Sequence, residues 1–216
     1  TNEDLRAIAG LYTETCQLVV RADSNIQTLD DLSGHTVSIG AEESGTERNA
    51  TQILEFAGMP SSLVATKNLD YIEATKELKA GDIDAFFCTA GLTTTVIDEF
   101  SKECDIRLIP LTDTVISKML ESSLAYTSEV IPAGTYTGQT TDISTIGVKS
   151  VLITKADVSD DTIEQLTSLL FEKENEISYS NSLKLELTYD FATDDIPIPF
   201  HDGAKRYYKA RGYSTN

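Results

Sequence analysis

The 216 residues include no tryptophan, two histidines and three cysteines, and their 17 lysines and arginines are outnumbered by 35 aspartates and glutamates. The resulting formal net charge of −18 argues against nucleic acid and against an anionic membrane surface as partners, because both would repel the chain. His35 and His201 lie far apart without other ligating residues around them, so they predict neither a zinc site nor a catalytic triad. We expect no metal and no cofactor.

Cysteine does not define the redox compartment. Cys16, Cys88 and Cys104 lack metal-ligand or C-x-x-C spacing, and a disulfide remains open. Cys16 and Cys88 stand in apolar runs, which predicts that they are buried as small hydrophobic side chains. No apolar run approaches the roughly eighteen residues that cross a bilayer, and residues 1–4 are polar rather than a basic and apolar leader. We therefore expect a soluble chain without direct membrane insertion, from which any export signal has been removed or was not included.

Alternating helical and apolar extended segments predict an α/β fold of one large or two small domains. The segments from 36 to 111 are typical of a doubly wound parallel unit with helices near 46–57, 70–80 and 93–103. In the second helix we expect Ile72, Ala74 and Leu78 to face inward, and in the last one, 202–212, we expect Asp202 to cap and Gly212 to terminate.

Two long extended stretches, near 18–21 and 147–153, flank the central unit. They predict two lobes joined by two hinge strands. The outer lobe would comprise 1–17 and 148–216, and the inserted lobe 18–147.

The turn 40–46 joins an apolar strand to an amphipathic segment, the place where an open α/β sheet holds its ligand. The first turn of a helix leaves N–H groups unpaired beside the positive end of the macrodipole. Ser44, Gly45 and Thr46 are therefore predicted to hold a carboxylate or a phosphate. An ordinary capped helix without a ligand remains the alternative. A nucleotide loop is disfavoured, because Thr46 replaces the required lysine and Glu42 and Glu43 would repel a polyanion.

A second turn, Thr89, Ala90 and Gly91, ends the predicted strand 83–88 and could offer further N–H and hydroxyl groups to a ligand. Tyr12 and Tyr136 could cover that ligand as aromatic walls. The alternatives are a plain strand-to-helix turn and packed tyrosines with satisfied hydroxyls. Arg48 could pair with an acidic ligand, although a solvated surface arginine is the commoner role.

Six segments together resemble the TAXI solute-binding proteins, the extracytoplasmic receptors of one class of tripartite ATP-independent periplasmic (TRAP) transporter. These segments cover most of the chain in the family's order: 19–24 with 29–34, 40–46, 81–87, 131–136 and 197–204. The family turn usually carries small residues or proline where Glu42 and Glu43 stand, and proline is common at the position of Asp202. Family members also carry further sequence before the counterpart of Leu5, which supplies the opening strands of the first lobe.

The resemblance implies a two-lobed, periplasmic-binding-protein-like fold of type II, with parallel or mixed sheets flanked by helices and an incomplete first lobe. It implies a receptor, in the periplasm or lipid-anchored at the cell surface, that captures glutamate, glutamine or a related dicarboxylate between its lobes. The partners would be this small carboxylate solute and the TRAP membrane subunits. We do not expect an enzyme, because no nucleophile stands paired with a base and no carboxylate dyad is evident. A two-lobed enzyme and the effector-binding domain of a regulator remain the alternatives.

Overall fold

The computed structural model describes residues 4–174, 176–177 and 185–215. They divide into two compact units, of which unit 1 comprises Thr1–Thr13 with Lys149–Asn216 and unit 2 comprises Glu14–Val148. The strands are β1 (Leu5–Arg21), β2 (Thr36–Ser38), β3 (Ala65–Lys67), β4 (Ala85–Ala90), β5 (Ile106–Leu108), β6 (Tyr126–Ile131) and β7 (Ile143–Lys155). The helices are α1 (Gly45–Phe56), α2 (Tyr71–Ala80), α3 (Thr95–Glu103), α4 (Asp113–Ser122), α5 (Asp160–Glu172), α6 (Tyr189–Thr193) and α7 (Asp202–Lys209).

The sheet is mixed, with strand order β3-β2-β4-β1-β7-β6 and with β5 also paired to β1. Strand β2 runs parallel to β3 and β4, whereas β1 runs antiparallel to both β4 and β5. The strands within 36–111 share one direction, as predicted, but β1, from outside that segment, inserts antiparallel between β4 and β5.

Helices cover both faces of the sheet in unit 2. Because side chains alternate along a strand, Leu18 and Val20 of β1 join one core with residues of α1 and α4, while Val19 joins the other with residues of α2 and α3. Cys16 and Cys88 are buried as predicted, and they are free thiols. The described residues thus form a mixed α/β fold whose open sheet is flanked by helices.

Unit 1 has its own core, where helices α5 and α7 pack together around buried residues such as Ile8, Phe200 and Tyr208. In the part of the chain that the structure describes, its strand residues belong to β1 and β7, with one parallel bridge between Ala7 and Phe200. The expected incompleteness of the outer lobe, and the expected lobe boundaries after residues 17 and 147, stay predictions.

Local predictions fail at several places. The extended stretch expected near 18–21 is the end of the longer strand β1, which begins at Leu5. Ile72 is 61% exposed, so the inward stripe of α2 consists of Ala74 and Leu78 without it. Helix α7 ends at Lys209 rather than Gly212, and its N-cap is His201, whose Nδ1 accepts a hydrogen bond from the Gly203 N–H at 3.1 Å. Among the described residues, no helix is long and apolar enough to span a bilayer.

Candidate functional site

The turn between β2 and α1 has the geometry of a helix start that holds its amides outward. Ser44 is the N-cap, and its Oγ accepts a hydrogen bond from the Glu47 N–H at 3.1 Å. Gly40 has φ +96°, and a Cβ there would lie 2.8 Å from Thr46 Cβ, so this position requires glycine. Among the described residues, no acceptor takes the N–H of Gly45 or of Thr46. Two donors at the positive end of the helix dipole are therefore available to an anion.

A cavity of about 470 Å³ opens beside this helix start, within unit 2. Ser44 and Gly45 line it from the turn, and Arg48 lines it from the next turn of α1. Glu14 of β1 and Glu43 of the turn add carboxylates to the lining. The site therefore combines hydrogen-bond donors with charges of both signs.

Arg48 is the notable cation of this cavity. Among the described residues, the guanidinium of every other arginine has a hydrogen bond or ion pair with the protein, whereas that of Arg48 has none. Its side chain is exposed on α1. A guanidinium offers five donors in a planar fork that matches a carboxylate. In a protein with 35 acidic residues, this one stays available for a ligand.

A hydrogen-bonded group orients the amide side chains of the cavity. The Tyr126 hydroxyl donates to Asn49 Oδ1 at 3.1 Å and to Gln52 Oε1 at 2.8 Å. Burial raises the pKa of the Tyr126 phenol, and the nearby positive charge of Arg48 opposes this shift. Because the amide oxygens face the hydroxyl, the NH₂ groups point elsewhere, and Asn49 Nδ2 reaches Thr89 Oγ1 only at the long distance of 3.5 Å.

Thr46 and Thr89, both predicted as ligand contacts, are joined by Tyr71. The Tyr71 hydroxyl lies 2.6 Å from Thr46 Oγ1, donates to the Thr89 carbonyl at 3.0 Å and accepts from the Thr89 N–H at 3.2 Å. Burial raises the pKa of Tyr71 to about 12. The N–H and the carbonyl of Thr89 are therefore already hydrogen-bonded within the protein.

The remaining predicted residues have other surroundings. Thr89 and Ala90 belong to strand β4 rather than to a turn, and the Gly91 carbonyl accepts a hydrogen bond from Thr94 Oγ1 at 2.9 Å. Tyr136 is 3% exposed. Its hydroxyl donates to Gln17 at 2.6 Å and accepts from the Thr94 N–H at 3.1 Å.

Tyr12 lies in unit 1 and packs against the core of that unit. The structure thus brings Ser44 and Gly45 to the cavity with Thr46 beside them, and it does not bring Tyr136 to that cavity. Ligand contact by any of the predicted residues stays a prediction.

Sequence reasoning did not select Glu14, Asn49, Gln52 or Tyr126. One signal was present, because Asn49 interrupts the apolar stripe of α1 and is only 5% exposed. A buried amide requires hydrogen-bond partners and therefore marks a polar site in a core. Tyr126 gave no comparable signal.

Among the described residues, no group of three or more His, Cys, Asp or Glu side chains could hold a metal ion. Several solved structures are similar to this chain at low sequence identity. A mutant of ArgBP from T. maritima is 16% identical with a TM-score of 0.44, over 83% of this chain and 62% of that chain. The periplasmic aliphatic sulphonate binding protein SsuA from Escherichia coli is 14% identical with a TM-score of 0.47, over 84% and 53%. A structure that concerns glutathione import via GshT and the cystine ABC importer TcyBC of Streptococcus mutans is 15% identical to this chain with a TM-score of 0.49. The match covers 86% of this chain and 67% of that chain.

This chain therefore spans less than two thirds of the length of the first two proteins. A family model described as the NMT1-like family matches residues 1–212, and the chain belongs to that family.

Proposed function

We propose that the protein is an extracytoplasmic solute-binding receptor that takes a small carboxylate-bearing solute in the cavity at the start of α1. The observation that carries the proposal is the unpaired guanidinium of Arg48 beside two N–H groups that have no acceptor among the described residues. These three donor groups lack an acceptor among the described residues, and an anion in the cavity could accept hydrogen bonds from all of them.

A carboxylate fits this arrangement in chemistry and in size. One oxygen can accept from the N–H groups of Gly45 and Thr46, and the guanidinium of Arg48 can bind the carboxylate through charge-assisted hydrogen bonds. Asn49 is held by Tyr126, so its position costs little further side-chain entropy on binding. The volume of about 470 Å³ lies in the range of sites for small molecules, which is about 300 to 1,000 Å³.

The finer assignments rest on the resemblance to TAXI proteins. It suggests glutamate, glutamine or a related dicarboxylate as the solute and a TRAP-type transporter as the membrane partner. It also suggests a periplasmic or lipid-anchored location and capture between two closing lobes. The two candidate turns contribute unequally, because the peptide of Thr89 is already bonded to Tyr71. We therefore assign the carboxylate to the start of α1.

Removal of the Arg48 charge tests this function. Calorimetry with a panel of amino acids and small carboxylates should find a ligand for the wild-type protein, and Arg48→Ala should weaken that ligand about 10- to 100-fold, because a hydrogen bond to a charged group contributes about 1.5–3 kcal/mol. Lys76→Ala is the matched control, since it removes one positive charge from an exposed position on α2. It should leave the affinity within about twofold, as expected of a surface substitution away from the site.

Unchanged affinity in Arg48→Ala would refute the assignment of the site. Absence of binding by every panel member would refute the receptor function. Turnover of a panel member would favour the enzyme alternative, and binding coupled to a regulatory partner would favour the effector domain.

A further inference from the structure

The first residue of α1, Gly45, lines the cavity although the fold does not require glycine there. Its φ lies outside the left-handed region. A Cβ at this position would meet no atom within 4 Å, apart from its chain neighbours and the backbone of its own helix. Gly40 differs, because its positive φ and the closeness of Thr46 exclude a side chain. Alanine in place of Gly45 would therefore fit the folded chain.

Glycine at the start of α1 lowers the stability of the protein. It loses more backbone entropy on folding than alanine does, and it is one of the poorest helix formers. Replacing a glycine by alanine stabilises a protein wherever the native conformation suits both residues. A destabilising residue at a position that accepts alanine calls for another reason, and the cavity beside Gly45 supplies one.

We infer that, provided the proposed function holds, Gly45 determines ligand specificity at the α-carbon, the carbon next to the bound carboxylate. Its missing side chain leaves room there for a substituent. The cavity therefore takes carboxylates with a substituted α-carbon, such as amino acids and 2-hydroxy acids, as readily as unsubstituted ones.

The direction of a helical side chain supports this role. Each Cα–Cβ bond of an α-helix is tilted toward the N-terminus of the helix. At the first residue of α1 this bond would lean toward the space in front of the N–H groups of Gly45 and Thr46, which have no acceptor among the described residues. A carboxylate oxygen within hydrogen-bond distance of these groups brings the α-carbon of the ligand into the same space. A Cβ and an α-substituent would then compete for one volume.

Arg48 and Gly45 have separable tasks in this arrangement. The guanidinium of Arg48 lines the cavity from the next turn of α1 and interacts with the carboxylate itself, whatever the α-carbon carries. Gly45 instead acts on the part of the ligand beside the carboxylate. Substitutions at the two positions should therefore change affinity in different patterns.

Pairs of ligands that differ only at the α-carbon test the inference. Glutamine and glutaramate, 2-hydroxyglutarate and glutarate, and lactate and propionate each differ by one group in place of one hydrogen. Calorimetry on the wild-type protein should show the substituted member binding at least as tightly as its partner in every pair that binds. In Gly45→Ala the ratio of the two affinities should fall at least about fivefold, the effect of roughly 1 kcal/mol of steric conflict. Gly45→Val should lower the ratio further, because its side chain is larger.

Two measurements separate fit from folding. Gly45→Ala should raise the melting temperature by about 1 to 4 °C, so its loss of affinity could not come from damage to the fold. Arg48→Ala is the matched comparison on the same helix. It should weaken both members of a pair alike and leave their ratio within about twofold of the wild-type value.

The possible failures are distinct. If Gly45→Ala leaves the ratio unchanged, or Arg48→Ala lowers it equally, the inference is wrong and the receptor function stands. If Gly45→Ala lowers the melting temperature, the fold requires this glycine and the inference is again wrong. If no member of any pair binds to the wild-type protein, the receptor function fails and the inference fails with it.

Discussion

Tyr71→Phe is the substitution that most directly tests how the protein supports the helix start beside the candidate site. Strand β2 ends at Ser38, whereas β4 continues to Ala90, so the last residues of β4 have no strand partner on that side. The Tyr71 hydroxyl takes the place of the missing strand by bonding both the N–H and the carbonyl of Thr89. The same hydroxyl contacts Thr46 in the first turn of α1. The hydroxyl oxygen of Tyr71 therefore connects the start of α1 to the end of β4 through hydrogen bonds.

The expected loss of stability follows from three hydrogen bonds. Each typical bond contributes about 0.5–1.5 kcal/mol net, and a buried backbone group left without a partner adds to the cost. We therefore expect Tyr71→Phe to lower the free energy of unfolding by about 2 to 4 kcal/mol. For a chain of this length the melting temperature should fall by about 5 to 12 °C.

Urea unfolding followed by circular dichroism at 222 nm measures this change, with Tyr213→Phe as the control. Tyr213 stacks on Tyr189, and among the described residues its hydroxyl has no hydrogen bond. That control should lose less than about 0.5 kcal/mol. Equal losses in the two variants would show that the hydroxyl of Tyr71 does not support the β4 end, and the reasoning would be refuted.

Two further predictions concern backbone conformation and pH. Gly40→Ala should lower the free energy of unfolding by about 1 to 3 kcal/mol more than Gly58→Ala does. Both glycines have positive φ, but only a Cβ at Gly40 meets another atom, Thr46 Cβ at 2.8 Å. Equal losses of stability in urea unfolding would contradict this prediction. Burial raises the pKa of Tyr71 to about 12, so its contribution is complete below the ordinary pKa near 10 and declines as the pH rises from about 10 to 12. The stability difference between the wild type and Tyr71→Phe should therefore shrink between pH 9 and pH 11.5, and a constant difference would show that the phenol does not titrate there.

Helix α1 illustrates what local sequence predicts well. The helix expected near 46–57 depends on residues within one or two turns of each other, and the structure confirms a helix over Gly45–Phe56. The same local reasoning failed at α7. A preference for aspartate favoured Asp202 as the cap, but the imidazole of His201 one residue earlier accepts the N–H of Gly203.

Strand order could not be predicted in the same way. The parallel direction of β2, β3 and β4 follows from the helices between them, whereas the insertion of β1 beside β4 depends on pairing between residues about 70 positions apart, such as Cys16 and Thr89. Hydrophobic patterning shows that a strand is buried but not which neighbour it pairs with. The fold class was therefore predicted correctly, whereas the strand order was not predicted.

The candidate site shows the same division between local and distant information. Ser44 and Gly45 could be named because a helix start is visible in the sequence. Arg48 was weighed there and judged a surface residue, because its lack of an ion pair among the described residues is a property of the folded chain. Tyr126 reaches Asn49 across 77 positions, so no local pattern could join them.

Unusual backbone conformations and donors without acceptors lie close together at the start of α1, as the proposed binding role predicts. Within residues 40–48, Gly40 and Glu43 have positive φ, and among the described residues two amides have no acceptor and the guanidinium of Arg48 has no partner. Other buried polar groups of unit 2 have partners, as in the contacts of Gln17 with Thr94 and Tyr136, although the buried Ser38 Oγ has none among the described residues. Unfavourable conformations and unfilled donors persist in a fold only where the surrounding structure outweighs their cost, and they concentrate at ligand sites. An anion at the start of α1 would satisfy the amides and the guanidinium together, so its binding would stabilise this segment.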